Sequence, residues 1–175
     1  ESALFKKFQE EQAKKDAEAK AKAAAAAKAK AASRSSSKRT STSSAKVSLG
    51  SVTLIKPVSG TITSKYGAKS SRRSGAHTGL DIAAPKGTPI KASAEGTVTF
   101  AGTKGSYGKM VIISHADGVE TYYAHCSTLK VSTGAKVSQG QVIAEVGSTG
   151  NSTGNHLHLE IRKNGTILNP QHYLY

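Results

Sequence analysis

Histidines are the residues of this chain best suited to chemistry, and all of them lie after residue 76: His77, His115, His125, His156, His158 and His172. On a β-strand, His156 and His158 would place both imidazoles on the same face. His77 precedes Asp81 by four residues in a segment that contains a glycine. Two histidines and one carboxylate leave a tetrahedral zinc ion with one open position, which is typical of catalytic sites. The spacing therefore predicts a metal site. It leaves open whether His156 or His158 is the ligand, and separate surface or core histidines are the alternative.

The other histidines and the single cysteine favour structural roles. His115 ends a predicted strand just before a turn, and His172 lies near the C-terminus. Cys126 cannot form an intramolecular disulfide, and one thiolate cannot build a metal cage. Cys126 follows His125, but neighbours on a strand point to opposite faces, so a Cys/His nucleophile pair is disfavoured. We expect Cys126 to be a small buried side chain.

The sequence beyond residue 50 is typical of an all-β domain. Short runs rich in Val, Ile, Thr and Tyr alternate with glycine-containing turns, which predicts antiparallel sheets. The turn Ala116-Asp117-Gly118 joins two of these runs as a hairpin, with glycine where a positive φ is needed. The predicted strands span residues 60–64, 89–92, 96–101, 109–115, 119–125, 141–146 and 156–162.

The first fifty residues have a different composition. Residues 1–32 are rich in Ala, Lys, Glu and Gln, which favour helix, but they lack a sustained apolar stripe. We expect a helical or disordered stalk there, for which an upstream segment would supply any coiled-coil partner. Residues 33–50 have the Ser/Thr-rich composition of a flexible linker, and the folded domain is expected over residues 51–175. No apolar run is long enough to span a bilayer. The sequence starts at Glu1 without Met, which is compatible with an upstream signal peptide or anchor.

The formal net charge of +14 comes largely from Lys and Arg in the first 73 residues. A basic segment attached to a nearly neutral domain attracts polyanions, among them nucleic acid, anionic lipid and the anionic polymers of bacterial walls. The basic region lacks interleaved aromatic residues and no recognition motif follows it, so nucleic acid is not an expected partner.

A carrier domain is a competing interpretation, because residues 87–96 and 134–143 are similar to the turns of biotinyl or lipoyl carriers. Such a carrier requires a modified lysine at a hairpin tip, whereas the predicted tip contains Ala116, Asp117 and Gly118. A carrier also gives no reason for a His-x-His strand.

Three separated motifs make the chain resemble the LytM/lysostaphin-type zinc peptidases. They are HTGLD at residues 77–81, YYAH at 122–125 and GSTGNSTGNHLHLE at 147–160, followed by Asn169-Pro170. The resemblance covers roughly residues 56–174. It implies an all-β domain of two antiparallel sheets, with a groove across one face and a mononuclear zinc at its floor. A tyrosine that this family often has just before the first motif has no counterpart in residues 68–76; the nearest is Tyr66.

Carried over residue by residue, the resemblance implies that His77, Asp81 and His158 bind Zn²⁺ and that His125 and His156 are catalytic. One catalytic imidazole would take a proton from the attacking water and the other would stabilise the developing oxyanion, in an order left open. The implied substrate is the stem peptide or cross-bridge of peptidoglycan, which places the protein outside the cytoplasm, secreted or associated with the cell envelope.

Two further expectations accompany this assignment. Glu160 shares a strand face with the His-x-His pair, so it is either a partner that orients an imidazole or a solvated strand residue. Residues 149–154 are either a groove loop for an extended peptide or an ordinary turn.

The alternative function is a non-catalytic regulator of a cell-wall amidase or a component of a cell–cell channel. Such relatives typically lack some of the five site residues, and this chain retains all five.

Overall fold

The computed structural model describes residues 49–71 and 75–175. The predicted stalk at residues 1–32 and nearly all of the predicted linker lie outside this range, so both remain predictions. Leu49 and Val52 form an isolated β-bridge and are buried in the main core. The described domain therefore includes residues at the end of the predicted linker.

The described residues form ten strands and very little helix, which confirms the all-β prediction. A short helix, α1, spans Gln171–Leu174, and 3-10 turns lie at Gly105–Tyr107 and Ala116–Gly118. The strands are β1 (Thr61–Ser64), β2 (Leu80–Ala83), β3 (Pro89–Lys91), β4 (Gly96–Thr103), β5 (Lys109–Ser114), β6 (Val119–Leu129), β7 (Lys136–Val137), β8 (Val142–Val146), β9 (His156–Lys163) and β10 (Thr166–Leu168).

Each of the seven predicted strands corresponds to an observed one, with ends that differ by a few residues. The sequence interpretation missed β2, β7 and β10, which are two to four residues long. The omission of β2 matters most, because this strand carries Asp81.

All strand pairs are antiparallel, and the pairing follows the order β1-β2-β9-β6-β5-β4-β7. Strand β10 adds to β9, and β3 pairs with β8. Strand β6 connects the two parts of the structure, because residues 119–124 pair with β9 whereas residues 126–129 pair with β8. The two expected sheets are therefore joined through one long strand.

Successive side chains of β9 point in turn to the hydrophobic core and to the face that carries the candidate site. Leu157, Leu159 and Ile161 are fully buried in the main core. His156, His158 and Glu160 alternate with them and point to the opposite face. The same face carries a smaller apolar cluster, in which Met110, Ile112 and Ala124 are buried and Phe100, Tyr107 and Tyr122 pack around them. The site therefore rests on a sheet whose other side is the core. No helix in the described part of the chain has the length and apolar character needed to cross a bilayer.

Candidate metal centre and active site

Three side chains of types that can bind a metal ion meet where β2 pairs with β9. Asp81 and His158 are direct cross-strand partners, and His77 lies just before β2. The Asp81 Oδ1 atom is 2.8 Å from Nδ1 of His158 and 2.9 Å from Nε2 of His77, and the two nitrogens are 3.0 Å apart. All three side chains are buried, with one donor atom of each within 4.8 Å of the others. Two imidazole nitrogens and a carboxylate oxygen this close together fit zinc.

Gly79 allows the turn between His77 and Asp81 to lie against β9. A Cβ atom at residue 79 would overlap the carbonyl oxygen of Leu159 and the imidazole of His158. The glycine of the HTGLD motif is therefore explained by close packing on the strand that supplies the third donor.

The ring nitrogens of His77 and His158 that point away from the metal position are each held by an acceptor. Nδ1 of His77 lies 2.9 Å from the carbonyl oxygen of Lys65, and Nε2 of His158 lies 3.2 Å from Oε1 of Glu160. A carbonyl or carboxylate oxygen only accepts, so these nitrogens carry the hydrogens. In the neutral tautomers, Nε2 of His77 and Nδ1 of His158 then keep their lone pairs for a metal ion.

Glu160 has no exposed surface, and its carboxylate accepts hydrogen bonds from several segments. Thr78 Oγ1 donates at 2.6 Å, Tyr107 OH at 2.9 Å and Arg162 at 2.6 Å, in addition to the contact with His158. Burial alone would raise the pKa of Glu160, but hydrogen bonds from His158, Thr78 and Arg162 outweigh it and lower the pKa to about 2. Glu160 is therefore an anion that orients an imidazole, one of the two roles expected for it.

The carboxylate of Asp81 is also held in its charged form. Burial favours the neutral acid, but without a metal ion the hydrogen bonds that His158 and His77 donate hold the pKa of Asp81 well below its usual range. Burial likewise opposes the charged form of His158, yet its bonds to Asp81 and Glu160 raise the pKa of its imidazole. Two buried carboxylates therefore favour positive charge beside His158, which is a proton in the metal-free protein and would be displaced by a bound metal ion.

His125 and His156 lie beside the three donors. Their ring centroids are 4.7 Å apart, and Nε2 of His156 is 3.8 Å from Oδ1 of Asp81. Nδ1 of His125 donates to the carbonyl of Thr149 at 2.7 Å, and Nδ1 of His156 donates to that of Gly154 at 2.9 Å. Both Nε2 atoms are therefore acceptors in the neutral rings. Burial lowers the pKa of His125 to about 4, so this ring is neutral at pH 7.

The backbone at His125 is left-handed, with φ of 61°. This residue lies where β6 changes partner, since Ala124 pairs with His158 on β9 and Cys126 pairs with Val146 on β8. A non-glycine residue in this conformation is strained, and such strain is found often at functional sites. Cys126 is fully buried and burial raises the pKa of its thiol to about 12, which excludes a Cys/His nucleophile pair.

An open groove of about 610 Å³ contains all five residues that sequence analysis singled out for the site. Residues 151–153 line it, so the loop expected at 149–154 contributes to the groove. Tyr107 also lines the groove and was missed by the sequence analysis. Its only signal was an aromatic residue in a turn between Gly105 and Gly108. Tyr66 is exposed, and His115 and His172 do not line this groove.

The sequence model of peptidase family M23 matches residues 75–170. The DD-carboxypeptidase/endopeptidase Mpg of Neisseria meningitidis is 58% identical over 94 residues, which cover 54% of this chain and 22% of that protein. The murein hydrolase activator NlpD of Escherichia coli is 41% identical over 119 residues, covering 67% of this chain and 30% of that protein. The chain thus spans less than a third of the length of these curated relatives.

A solved structure of a zinc-containing peptidase from Vibrio cholerae is 30% identical to this chain, with a TM-score of 0.63. The similarity covers 67% of this chain and 39% of that one. The chain belongs to peptidase family M23, and the resemblance to LytM/lysostaphin-type peptidases is confirmed. Peptidases of this family are zinc-dependent, in agreement with the donor set. The carrier-domain alternative fails, because the hairpin tip at Ala116–Gly118 has no lysine.

Proposed function

We propose that this protein is a zinc endopeptidase that hydrolyses peptide bonds of bacterial peptidoglycan, in the stem peptide or the cross-bridge. The observation that carries the proposal is the grouping of five side chains around one groove. Three of them form a donor set for a metal ion. The other two, His125 and His156, have their Nδ1 atoms bonded to backbone carbonyls.

The residues divide into two roles. His77, Asp81 and His158 would hold Zn²⁺, which when bound lowers the pKa of a coordinated water and polarises a carbonyl group. His125 and His156 each offer an Nε2 lone pair, so either ring can accept a proton from a water in the groove. The ring that has gained a proton can return it to the leaving amine, while the other stabilises negative charge on the carbonyl oxygen when it is protonated.

The groove suits an extended peptide. Its lining includes Gly75, Ala76, Ser152 and Thr153, which are small residues that leave the backbone accessible. Backbone N–H and C=O groups of the groove can form hydrogen bonds with the backbone of an extended peptide, whatever the size of the peptide's side chains. The name of Mpg, a DD-carboxypeptidase/endopeptidase, supports a cell-wall peptide as the substrate.

A regulatory function is the second candidate, because NlpD, a named murein hydrolase activator, is 41% identical to this chain. A protein that only activates another hydrolase needs neither a metal donor set nor paired imidazoles. The presence of both in one groove favours catalysis.

The test is digestion of purified peptidoglycan, one glycine-bridged and one directly cross-linked, followed by mass analysis of the fragments. We expect new peptide ends with the zinc-loaded protein, and none after chelation or in a His125→Ala/His156→Ala double variant. A parallel reaction contains a cell-wall amidase. Stem peptides released only when the amidase is present, equally with wild type and double variant, would reject the endopeptidase and identify an activator.

We place the protein outside the cytoplasm, where its proposed substrate lies. The positive charge near the N-terminus would hold it on anionic wall polymers, and this attraction would weaken with salt.

A further inference from the structure

Thr149 contacts the segment around His125 through both its backbone and its side chain. Its carbonyl oxygen accepts the Nδ1 hydrogen of His125 at 2.7 Å. Its hydroxyl donates to the carbonyl of Cys126 at 2.7 Å and accepts from the backbone amide of Lys109 at 3.0 Å. One residue therefore joins the loop after β8 to the start of β5 and to the part of β6 that carries His125.

The loop that carries Thr149 is itself docked on the turn before β5. The amide of Asn151 donates to the carbonyl of Ser106 at 2.8 Å. Gly108 and Gly150 pack backbone to backbone, because a Cβ atom at either would overlap main-chain atoms of the other. Both have positive φ. This contact restricts where the carbonyl of Thr149 can lie.

The tautomer of His125 depends on this carbonyl. With its hydrogen on Nδ1, the neutral ring has its acceptor at Nε2; with the hydrogen on Nε2, the ring could not take a proton from the groove side. His125 has a strained backbone, so neighbouring contacts must hold it in place. The hydroxyl of Thr149 bonds to the very next residue, Cys126.

We propose that Thr149 is a positioning residue for His125: its carbonyl selects the tautomer that accepts a proton at Nε2, and its hydroxyl fixes that carbonyl in place. This inference deepens the proposed function and rests on it. The hydroxyl is the part that substitution can remove, since Val has nearly the shape of Thr and no hydroxyl.

The experiment compares zinc-loaded wild type with Thr149→Val, Thr149→Ser and Thr133→Val. Thr133 is the matched control, because its hydroxyl also bonds the backbone, accepting from the amide of Ala101 at 3.0 Å, but outside the groove. We expect Thr149→Val to lower kcat by about 10- to 100-fold with a KM within about twofold, since misplacement by about 1 Å can cost up to about 100-fold. Thr149→Ser should restore kcat, and Thr133→Val should leave it unchanged.

A second measurement does not require hydrolysis. A proton–nitrogen correlation spectrum of the imidazole rings reports which nitrogen of His125 carries the hydrogen. We expect Nδ1–H in wild type and Thr149→Ser, and a mixture of tautomers in Thr149→Val. Unchanged kcat and an unchanged His125 spectrum in Thr149→Val would overturn the inference, as would Nε2–H in wild type. A wild type that shows Nδ1–H but cleaves no peptide would reject the proposed function alone.

Discussion

Asp81 and His158 are direct partners in the antiparallel pairing of β2 with β9, and their side-chain atoms Oδ1 and Nδ1 lie 2.8 Å apart. The register of the sheet therefore brings together two donors of the proposed metal site. A shift of one residue would turn one of the two side chains to the core face.

Loss of any one donor should abolish metal binding. His77→Ala, Asp81→Ala and His158→Ala each leave two donors, fewer than the three protein ligands of a catalytic zinc site. We expect about one zinc per chain in wild type and strongly reduced zinc in each variant, measured by elemental analysis after dialysis. His172→Ala is the control, because this exposed histidine lies outside the groove. Stoichiometric zinc in all three donor variants would show that the site is elsewhere.

His125 and His156 should be needed for turnover and not for metal. Both rings approach the donor set but bond to backbone carbonyls through Nδ1. His125→Ala and His156→Ala should retain zinc and lose hydrolysis by roughly 100-fold or more, as for a lost acid–base group. The zinc content of each variant measures metal retention, and its initial rate on one peptidoglycan sample measures hydrolysis. Near-normal rates in either variant would contradict its assigned role.

The charge of Glu160 should contribute to metal affinity. Glu160→Gln keeps the size of the side chain but removes the anion that holds Nε2 of His158. We expect zinc affinity to fall by about 10- to 100-fold, the usual range for loss of a partner that orients a metal ligand. Competition with a chromophoric chelator measures this affinity.

Glu145→Gln is the matched control for that measurement. Glu145 pairs with Lys130 at 2.9 Å on the surface, away from the metal site. Equal zinc affinity in wild type and Glu160→Gln would mean that the carboxylate only fills space.

His115 should make the fold less stable in mild acid. It is buried, with Nδ1 at 2.6 Å from the carbonyl of Glu95 and Nε2 at 2.8 Å from Thr121 Oγ1. Burial lowers its pKa from 6.5, only partly opposed by the Glu95 carbonyl and the charge of Glu120. As pH falls below about 6.5, the unfolded chain binds this proton first, so the free energy of unfolding decreases until the folded-state pKa is reached.

The comparison is between wild type and His115→Gln, both freed of zinc. Denaturant unfolding at several pH values between about 7 and 5 gives the slope of stability against pH. We expect a shallower slope in the variant, because the other histidines contribute equally to both proteins. Identical slopes would exclude His115 as a source of the acid sensitivity.

The sequence predicted the parts of the site that depend on local pattern. Alternation along residues 156–162 placed the His-x-His pair on one face, and in β9 the leucines between and beside these histidines lie in the core while both histidines line the groove. The family resemblance supplied the choice of His158 over His156, which spacing left open. Strand β2 was missed because its Leu-Asp-Ile-Ala run alternates only once and contains a single β-branched residue.

The site features that the sequence did not predict depend on contacts between distant segments. Tyr107 reaches Glu160 across 53 positions of sequence, and no local pattern records that contact. The backbone at His125 is left-handed at the point where β6 stops pairing with β9 and starts pairing with β8. This conformation depends on how the three strands are arranged. Both features follow from tertiary packing, which a single sequence does not display.

The central position of β9, between β2 and β6, has a consequence for the newly made chain. His77 and Asp81 leave the ribosome 81 and 77 residues ahead of His158, the residue that must join them. Until residues 156–163 are made and inserted between β2 and β6, the growing polypeptide lacks His158, the third donor. It also lacks His156, the second of the two imidazoles proposed to be catalytic. Whatever chemistry the groove performs therefore begins only when nearly the whole domain has been made, and a prematurely terminated product that lacks β9 also lacks His156 and His158.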